Sequence, residues 1–152
     1  MVLALGALAL LALLLPIRAS VLGTRSTTGE CLTLTDRAPQ RADAARIAVT
    51  ERCAALEPND VTLASDLARL YELAGETARA ETAYRHALTL DGGAAELRLR
   101  LGRLLLNRGA AADAAEQATL ALAIRPNSPA ALALRAEAAS RERAAPTSGD
   151  GR

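Results

Sequence analysis

Two cysteines, Cys31 and Cys53, are the residues of this chain whose chemistry is easiest to define from the sequence. They lie 22 positions apart, and a structural zinc site is excluded because the chain has no C-x-x-C pair and only 1 histidine. A disulfide between them would close a loop of about 20 residues, contribute about 3 kcal/mol to stability, and imply an oxidising compartment such as the bacterial periplasm. The alternative is two free thiols, with Cys53 buried as a small apolar residue.

The other reactive residues do not form a pattern that supports catalysis. His86 stands without a second histidine or a nearby cysteine, so we expect it to pack or to face solvent. The glycines fall at turns, and no G-x-x-x-x-G-K-S/T phosphate loop occurs. The sequence therefore predicts a protein that is not an enzyme and that requires no cofactor and no metal. A net charge of +1 also gives no general attraction to nucleic acid.

Helices with a core of alanine and leucine are the elements that this composition favours. Hydrophobic residues make up 51% of the chain, yet it has no Phe, no Trp and 2 Tyr. Such a composition suits closely packed helices and argues against a β-sheet, in which β-branched and aromatic residues are favoured. Apolar residues also recur at spacings of three and four, which places them on one face of each helix. An all-α fold is therefore predicted.

A block of 34 residues occurs twice in tandem, as residues 61–94 and 95–128. The aligned pairs are Leu67 with Leu101, Ala68 with Gly102, Gly75 with Gly109, Ala80 with Ala114, Ala87 with Ala121, and Leu90 with Ile124. A fixed period of this length is typical of a helix–turn–helix solenoid, whose units bury a core only by stacking. Such a chain presents a surface for holding a partner.

The aligned residues resemble the tetratricopeptide repeat, which has Leu-Gly and Tyr on its first helix, Gly at the turn, and Ala, an aromatic and Ala on its second. The first unit matches with Leu67, Ala68, Tyr71, Gly75, Ala80, Tyr84 and Ala87, and the second with Leu101, Gly102, Leu105, Gly109, Ala114, Ala118, Ala121 and Pro126. The departures are Ala64 and Arg98 in place of a Trp-like residue, Ala118 in place of the aromatic, and Gly92 in place of Pro. The resemblance implies a short right-handed α-solenoid.

Extending the repeat phase in both directions divides the chain into segments. They are a transmembrane or signal-anchor helix (1–17), a Ser/Thr-rich tether (18–36), a repeat domain (37–143) with half-repeats at 37–60 and 129–143, and a disordered tail (144–152). N-cap residues predict where helices begin, because their side chains accept hydrogen bonds from free backbone N–H groups. The predicted N-caps are Asp36, Asp60 and Ser128, the last followed by Pro129.

Residues 1–17 carry no charge and reach the short limit for a helix that spans a bilayer. No clean small-x-small cleavage site follows them, so an uncleaved anchor in the bacterial inner membrane is favoured over a cleaved signal. Arg18 and Arg25 follow the segment, which by the positive-inside rule places the repeats in the cytoplasm. A disulfide between the cysteines would place them in the periplasm instead, which is the topology that we favour.

The resemblance also implies a binding face, since tetratricopeptide solenoids grip partner segments with the inner face of their first helices. Carried onto this chain, that face comprises Ser65, Asp66, Arg69 and Glu72 in the first unit and Leu99, Arg100, Arg103 and Asn107 in the second. Arginine holds carboxylates through paired hydrogen bonds, so an acidic segment or a C-terminal carboxylate is a suitable partner. The Lys and Asn clamp of some family members is not reproduced, and the charges also fit a solvated face.

Two functional hypotheses follow from this sequence. The first is a membrane-anchored, non-catalytic adaptor or assembly scaffold that grips another protein in its groove and binds no nucleic acid. The second is a structural accessory subunit of a larger membrane complex, held through its N-terminal helix. Small residues that could line such a helix contact are Gly6, Ala7, Ala9 and Ala12.

Overall fold

The computed structural model describes Cys31 and residues 41–144. Residues 41–144 form six α-helices and no β-strand, so the all-α prediction is confirmed for this part of the chain. The helices are α1 (Ala44–Leu56), α2 (Val61–Leu73), α3 (Thr77–Leu90), α4 (Ala95–Asn107), α5 (Ala111–Ile124) and α6 (Pro129–Ala144). All six lie in the compact unit formed by residues 39–152.

Several predictions fall on residues that the structure does not describe. The anchor at 1–17, the tether at 18–36 apart from Cys31, the N-cap at Asp36 and the tail beyond Ala144 all lie outside the described residues. Within the described residues, no helix combines the length and the apolar character that crossing a bilayer requires.

Local chemistry explains where most helices begin and end. The Asp60 carboxylate accepts hydrogen bonds from the backbone N–H groups of Thr62 (2.7 Å) and Leu63 (3.0 Å), which caps α2 as predicted. The two inter-helix turns within the repeats use Gly75 and Gly109 at φ values of +76° and +89°, a backbone conformation that disfavours other residues. Each full repeat is therefore a pair of helices joined at a glycine.

The ends of the domain differ slightly from the predicted boundaries. Helix α1 begins at Ala44 and is capped by Asp43, whose carboxylate accepts a hydrogen bond from the Arg46 N–H group at 2.7 Å. The predicted start after Asp36 is therefore too early for this helix. Helix α6 starts at Pro129 as predicted, but it includes Ala144, which the sequence placed in the tail.

Small residues bring neighbouring helices close together. Ala68, Ala80 and Ala114 are fully buried, and a Cβ atom at Gly102 would lie 2.7 Å from Leu134 Cδ2. That distance is well inside van der Waals contact, so glycine allows α4 to approach α6. Helices α2 and α3 pack against each other, as do α4 and α5, and α1 and α6 close the two ends of the stack.

The core between these helices is built from leucine, alanine and the two tyrosines. The largest fully buried side chains include Tyr84, Leu70, Leu101 and Leu105. Tyr84 carries its hydroxyl into this core and donates a 2.5 Å hydrogen bond to the Glu72 carboxylate. Its polar atom is therefore satisfied, as burial requires.

Candidate functional site

The two cysteines are both disulfide-bonded in this structure. Because the chain has 2 cysteines, the bond joins Cys31 to Cys53. Cys53 lies on α1 with 2% of its surface exposed. The structure therefore contains the disulfide rather than the pair of free thiols.

Glu72 and Arg100 form the polar centre of the predicted inner face. Glu72 accepts the hydrogen bond from the Tyr84 hydroxyl, and Arg100 Nη1 lies 3.9 Å from a Glu72 oxygen. Arg100 Nε also lies 3.3 Å from Glu96, one turn earlier on α4. Burial and the Glu72 carboxylate both raise the pKa of Tyr84, with burial the larger cause. Arg100 is thus already engaged by two carboxylates of its own chain.

Arg103 and Asn107 lie further along α4, where two surface hollows meet. A hollow of about 280 Å³ between α4 and α6 is lined by both residues together with Leu106 and Glu137. Asn107 also lines a second hollow of about 460 Å³, together with Glu72. No ion pair or side-chain hydrogen bond joins Arg103 to another described residue. Its guanidinium donors are therefore not engaged by the part of the chain that the structure describes.

The remaining predicted residues of this face are less available. Leu99 is only 6% exposed and belongs to the hydrophobic core, so it offers almost no surface to a partner. Ser65 donates its hydroxyl hydrogen bond to the Thr62 carbonyl at 2.9 Å. Burial raises the pKa of Asp66, against the opposing effects of the Arg69 and Arg46 charges.

A cleft of about 490 Å³ lies between α1, α2 and α3, and we call it the inter-repeat cleft. Its walls are mostly apolar, with Ala64, Leu67 and Tyr71 contributed by α2. The repeat pattern alone predicts no site here. The available signal was Ala64, which is 5% exposed and stands where the repeat pattern usually has a Trp-like residue. A methyl group in place of an indole leaves unfilled volume.

Tyr71 joins this cleft to a charged network at its edge. The tyrosine hydroxyl donates to Glu51 at 2.7 Å, and the Arg79 guanidinium lies over the ring, 4.1 Å from its centroid. Arg79 forms ion pairs with Glu51 and with Glu76, the latter at 2.8 Å. Burial, together with the hydrogen bond to Glu51, raises the pKa of Tyr71 to about 12.

His86 lies on α3 at the mouth of the inter-repeat cleft. Its Nε2 atom is 3.1 Å from the Pro58 carbonyl oxygen, which this nitrogen approaches as a donor. Among the described residues, no group of three or more His, Cys, Asp and Glu side chains is arranged to hold a metal ion. The side chains at both sites present hydrogen-bonding groups, charges and apolar surface.

Comparison with known proteins agrees with this architecture. A family profile described as tetratricopeptide repeat matches residues 73–138. Among curated proteins, no sequence matches that of this chain.

Solved structures with the same fold come from different kinds of protein. The chain resembles the Yersinia enterocolitica type III secretion chaperone SycD in complex with a peptide of the translocator YopD (TM-score 0.53, 20% identity, covering 66% of this chain and 76% of that one). It also resembles the second TPR domain of human RPAP3 in complex with the HSP70 peptide SGPTIEEVD (TM-score 0.58, 20% identity, 62% and 78%).

A third similar structure is the O-GlcNAc transferase of Thermobaculum terrenum (TM-score 0.61, 24% identity). The similar region covers 74% of this chain but 22% of that enzyme. The repeated glycine turns, the small residues at the helix crossings, the matching profile and the shared fold agree with one another. Residues 73–138 therefore match the tetratricopeptide repeat family, and the described helices have the fold of tetratricopeptide repeat structures.

Proposed function

We propose that this protein is a non-catalytic adaptor that holds an acidic segment of a partner protein against its inner face. The observation that carries this proposal is the contrast between two arginines one turn apart on α4. Arg100 is held by Glu72 and Glu96, whereas Arg103 forms no ion pair within the described residues and lines the hollow between α4 and α6. A free guanidinium beside the amide of Asn107 suits a carboxylate ligand.

The similar structures support a polypeptide as the partner. SycD and the RPAP3 domain are both described in complex with peptides, and the HSP70 peptide bound by RPAP3 ends in the acidic sequence EEVD. These proteins share the fold of this chain at 20% identity. Their ligands therefore suggest the chemical class of a partner rather than its identity.

The proposal includes attachment to a membrane through residues 1–17. That segment has no charged residue, and its length is at the short limit for a helix that spans a bilayer. We propose that the repeats face the bacterial periplasm, because the disulfide between Cys31 and Cys53 is of a kind that persists in oxidising compartments. An adaptor placed there would hold its partner close to the bilayer.

The binding proposal is tested with a fluorescent peptide that ends in Glu-Glu-Val-Asp and carries a free C-terminal carboxylate. We expect Arg103→Glu to weaken binding at least about tenfold, since a charged hydrogen bond contributes about 1.5–3 kcal/mol. The matched control is Arg135→Glu, which makes the same charge change on an exposed part of α6 that lines neither hollow.

Two outcomes would contradict this expectation. Equal losses for both variants would mean that only net charge matters, and equal retention by both would exclude the inner face as the site. Arg100→Glu is a poorer probe than Arg103→Glu, because it also removes the countercharge of Glu72 beneath the Tyr84 hydroxyl.

Membrane topology is tested separately by labelling thiols in intact cells with an impermeant reagent. If the repeats are periplasmic, the cysteines should label only after reduction, and without cell lysis. Labelling that requires lysis but no reductant would place free cysteines in the cytoplasm and contradict the proposed location.

A further inference from the structure

The inter-repeat cleft exists in one full repeat and is filled in the other. A shift of 34 residues carries Ala64 to Arg98 and Ala83 to Gln117. Ala64 and Ala83 both line the cleft, so two methyl groups occupy positions that hold long side chains in the second repeat. The same shift carries Ala54, at the α1 side of the cleft, to Leu88, which packs against the core.

The longer side chains of the second repeat interact directly with each other. Arg98 Nη1 lies 3.4 Å from Gln117 Oε1, and Arg98 Nη2 donates a 2.9 Å hydrogen bond to the Gly92 carbonyl. The equivalent carbonyl just before the first repeat, that of Pro58, is contacted by His86 from the mouth of the cleft. The space that Arg98 and Gln117 fill in the second repeat is therefore left open in the first.

The volume and walls of the inter-repeat cleft suit an aromatic side chain. Benzene occupies an apolar cavity of about 150 Å³, so a cleft of about 490 Å³ has room for an indole and part of the backbone that carries it. Leu67 and Tyr71 supply apolar and aromatic surface against which a ring can pack. A large aromatic residue is also what the repeat pattern usually places at position 64.

The charges around the cleft indicate what should flank that ring. Glu57 and Asp60 lie at its edge, and neither forms an ion pair with a described residue. The positive charge of Arg79 is already balanced by Glu51 and Glu76. The edge is therefore acidic on balance, which favours a basic residue next to the aromatic one.

We propose that the inter-repeat cleft is a second docking site, which receives an aromatic side chain flanked by a basic residue from a partner polypeptide. The site uses a different face of α2 from the inner face: Ala64, Leu67 and Tyr71 rather than Ser65, Arg69 and Glu72. It also has the opposite charge preference. The cleft and the inner face can therefore hold different segments, and the cleft does not depend on the adaptor proposal.

Binding is measured with a blocked hexapeptide, acetyl-Ala-Arg-Trp-Ala-Arg-Ala-amide. The protein contains no tryptophan, so the peptide is the only source of indole fluorescence. We expect a saturable shift of the emission to shorter wavelength as the ring leaves water. Replacing the tryptophan of the peptide with alanine, or its arginines with glutamates, should weaken competition with the original peptide at least about tenfold.

Variants of the protein locate the site. Ala64→Phe fills the cleft from within, and the double variant Ala54→Leu with Ala83→Gln introduces residues that the second repeat already tolerates; each should weaken binding at least about tenfold. The matched converse is Leu88→Ala with Arg98→Ala and Gln117→Ala, which should open a second cleft and raise the stoichiometry from one peptide to two. Circular dichroism verifies the helical fold of every variant.

Each other outcome would overturn the proposal. No saturable shift with the wild-type protein, or unchanged binding by the folded Ala54→Leu, Ala83→Gln variant, would exclude the cleft as the site. Free N-acetyltryptophanamide that binds as tightly as the peptide would identify a small-molecule pocket instead. None of these results bears on Arg103, which is tested with the acidic peptide.

Discussion

The two full repeats share a backbone plan but stabilise it with different chemistry. The first repeat uses two tyrosines, Tyr71 and Tyr84, whose hydroxyls donate to the carboxylates of Glu51 and Glu72. The second has Leu105 and Ala118 at the same positions, both fully buried, and no hydroxyl to satisfy. Tyrosine hydroxyls bonded to carboxylates thus support the first repeat. Aliphatic packing, the close approach at Gly102 and the contact of Arg98 with Gln117 support the second.

This difference shows that the repeat pattern constrains the positions where helices cross more strictly than it constrains the identity of every side chain. The small residues Ala80 and Ala114, and Ala87 and Ala121, are equivalent in the two units, because helices cross there and leave no space. At position 64 and its equivalent, 98, the side chain projects between repeats. Such a position accepts alanine or arginine, and the choice decides whether a cleft is open.

The largest expected effect is the loss of the Tyr84 ring. Tyr84→Ala should lower the free energy of unfolding by about 3–5 kcal/mol, because it removes a fully buried aromatic ring from a core that cannot collapse around the gap. Tyr84→Phe should cost about 1 kcal/mol, since only the hydrogen bond to Glu72 is lost. Urea denaturation measures both.

The reciprocal substitution tests whether the cores of the two repeats differ. Ala118→Tyr places a ring at the equivalent, fully buried position of the second repeat, and overpacking there should cost about 1–3 kcal/mol. If Ala118→Tyr instead stabilised the protein, the cores of the two repeats would be equivalent and would not differ in their packing.

Reduction of the disulfide should act at the N-terminal end of the repeats. Opening the loop between Cys31 and Cys53 is expected to lower the free energy of unfolding by about 3 kcal/mol. Amide hydrogen exchange should accelerate in α1, which carries Cys53, and change little in α5. The double variant Cys31→Ala, Cys53→Ala controls for effects of the reductant. Equal acceleration in both helices would indicate that the bond stabilises the whole stack uniformly.

Helix capping provides a smaller contrast between the repeats. Asp60 caps α2 through its side chain, whereas α4 begins after Ala94, which provides no such hydrogen bond. Asp60→Ala should therefore destabilise the protein by about 1 kcal/mol, and Ala94→Asp should stabilise it by a similar or smaller amount. Thermal unfolding followed by circular dichroism measures both changes. The two substitutions should change the free energy of unfolding in opposite directions, and a destabilising effect of Ala94→Asp would contradict this expectation.

Alkaline titration reports directly on the first repeat. The pKa of Tyr71 is about 12, and burial and Glu72 also raise the pKa of Tyr84. Since an unperturbed tyrosine ionises at about pH 10, the folded state holds these protons more tightly than the unfolded state does. The stabilisation is fully present below about pH 10, and it is lost as the pH rises through the pKa of the folded state.

Ultraviolet absorbance of tyrosinate measures this titration without interference, because the chain has 2 tyrosines and no tryptophan. Tyr71→Phe should leave a single transition, which belongs to Tyr84. Ionisation of both tyrosines at about pH 10 in the folded wild-type protein would contradict the burial of both hydroxyls.

The features that sequence predicts well here are those whose cause is local. Asp60 caps α2, Gly75 and Gly109 make the turns, and Pro129 begins α6, because each depends on backbone hydrogen bonds or dihedral angles within a few residues. The binding face is harder to predict from the sequence, because helical spacing groups residues on one side of a helix without determining what packs against that side. The resemblance to the repeat family places Leu99 on this face, but the side chain is buried in the core.

The sequence alone was enough to predict the helical fold, the period of the repeats and two cysteines available for a disulfide, because helical periodicity, caps and residue counts can be read along the chain. The tertiary structure was needed to show that Arg100 is held by two carboxylates, that Arg103 forms no ion pair within the described residues, and that Ala64 lies in an open cleft. Those outcomes depend on atoms brought together from different helices. Charge pairing and unfilled volume arise from these contacts, and no local pattern encodes them.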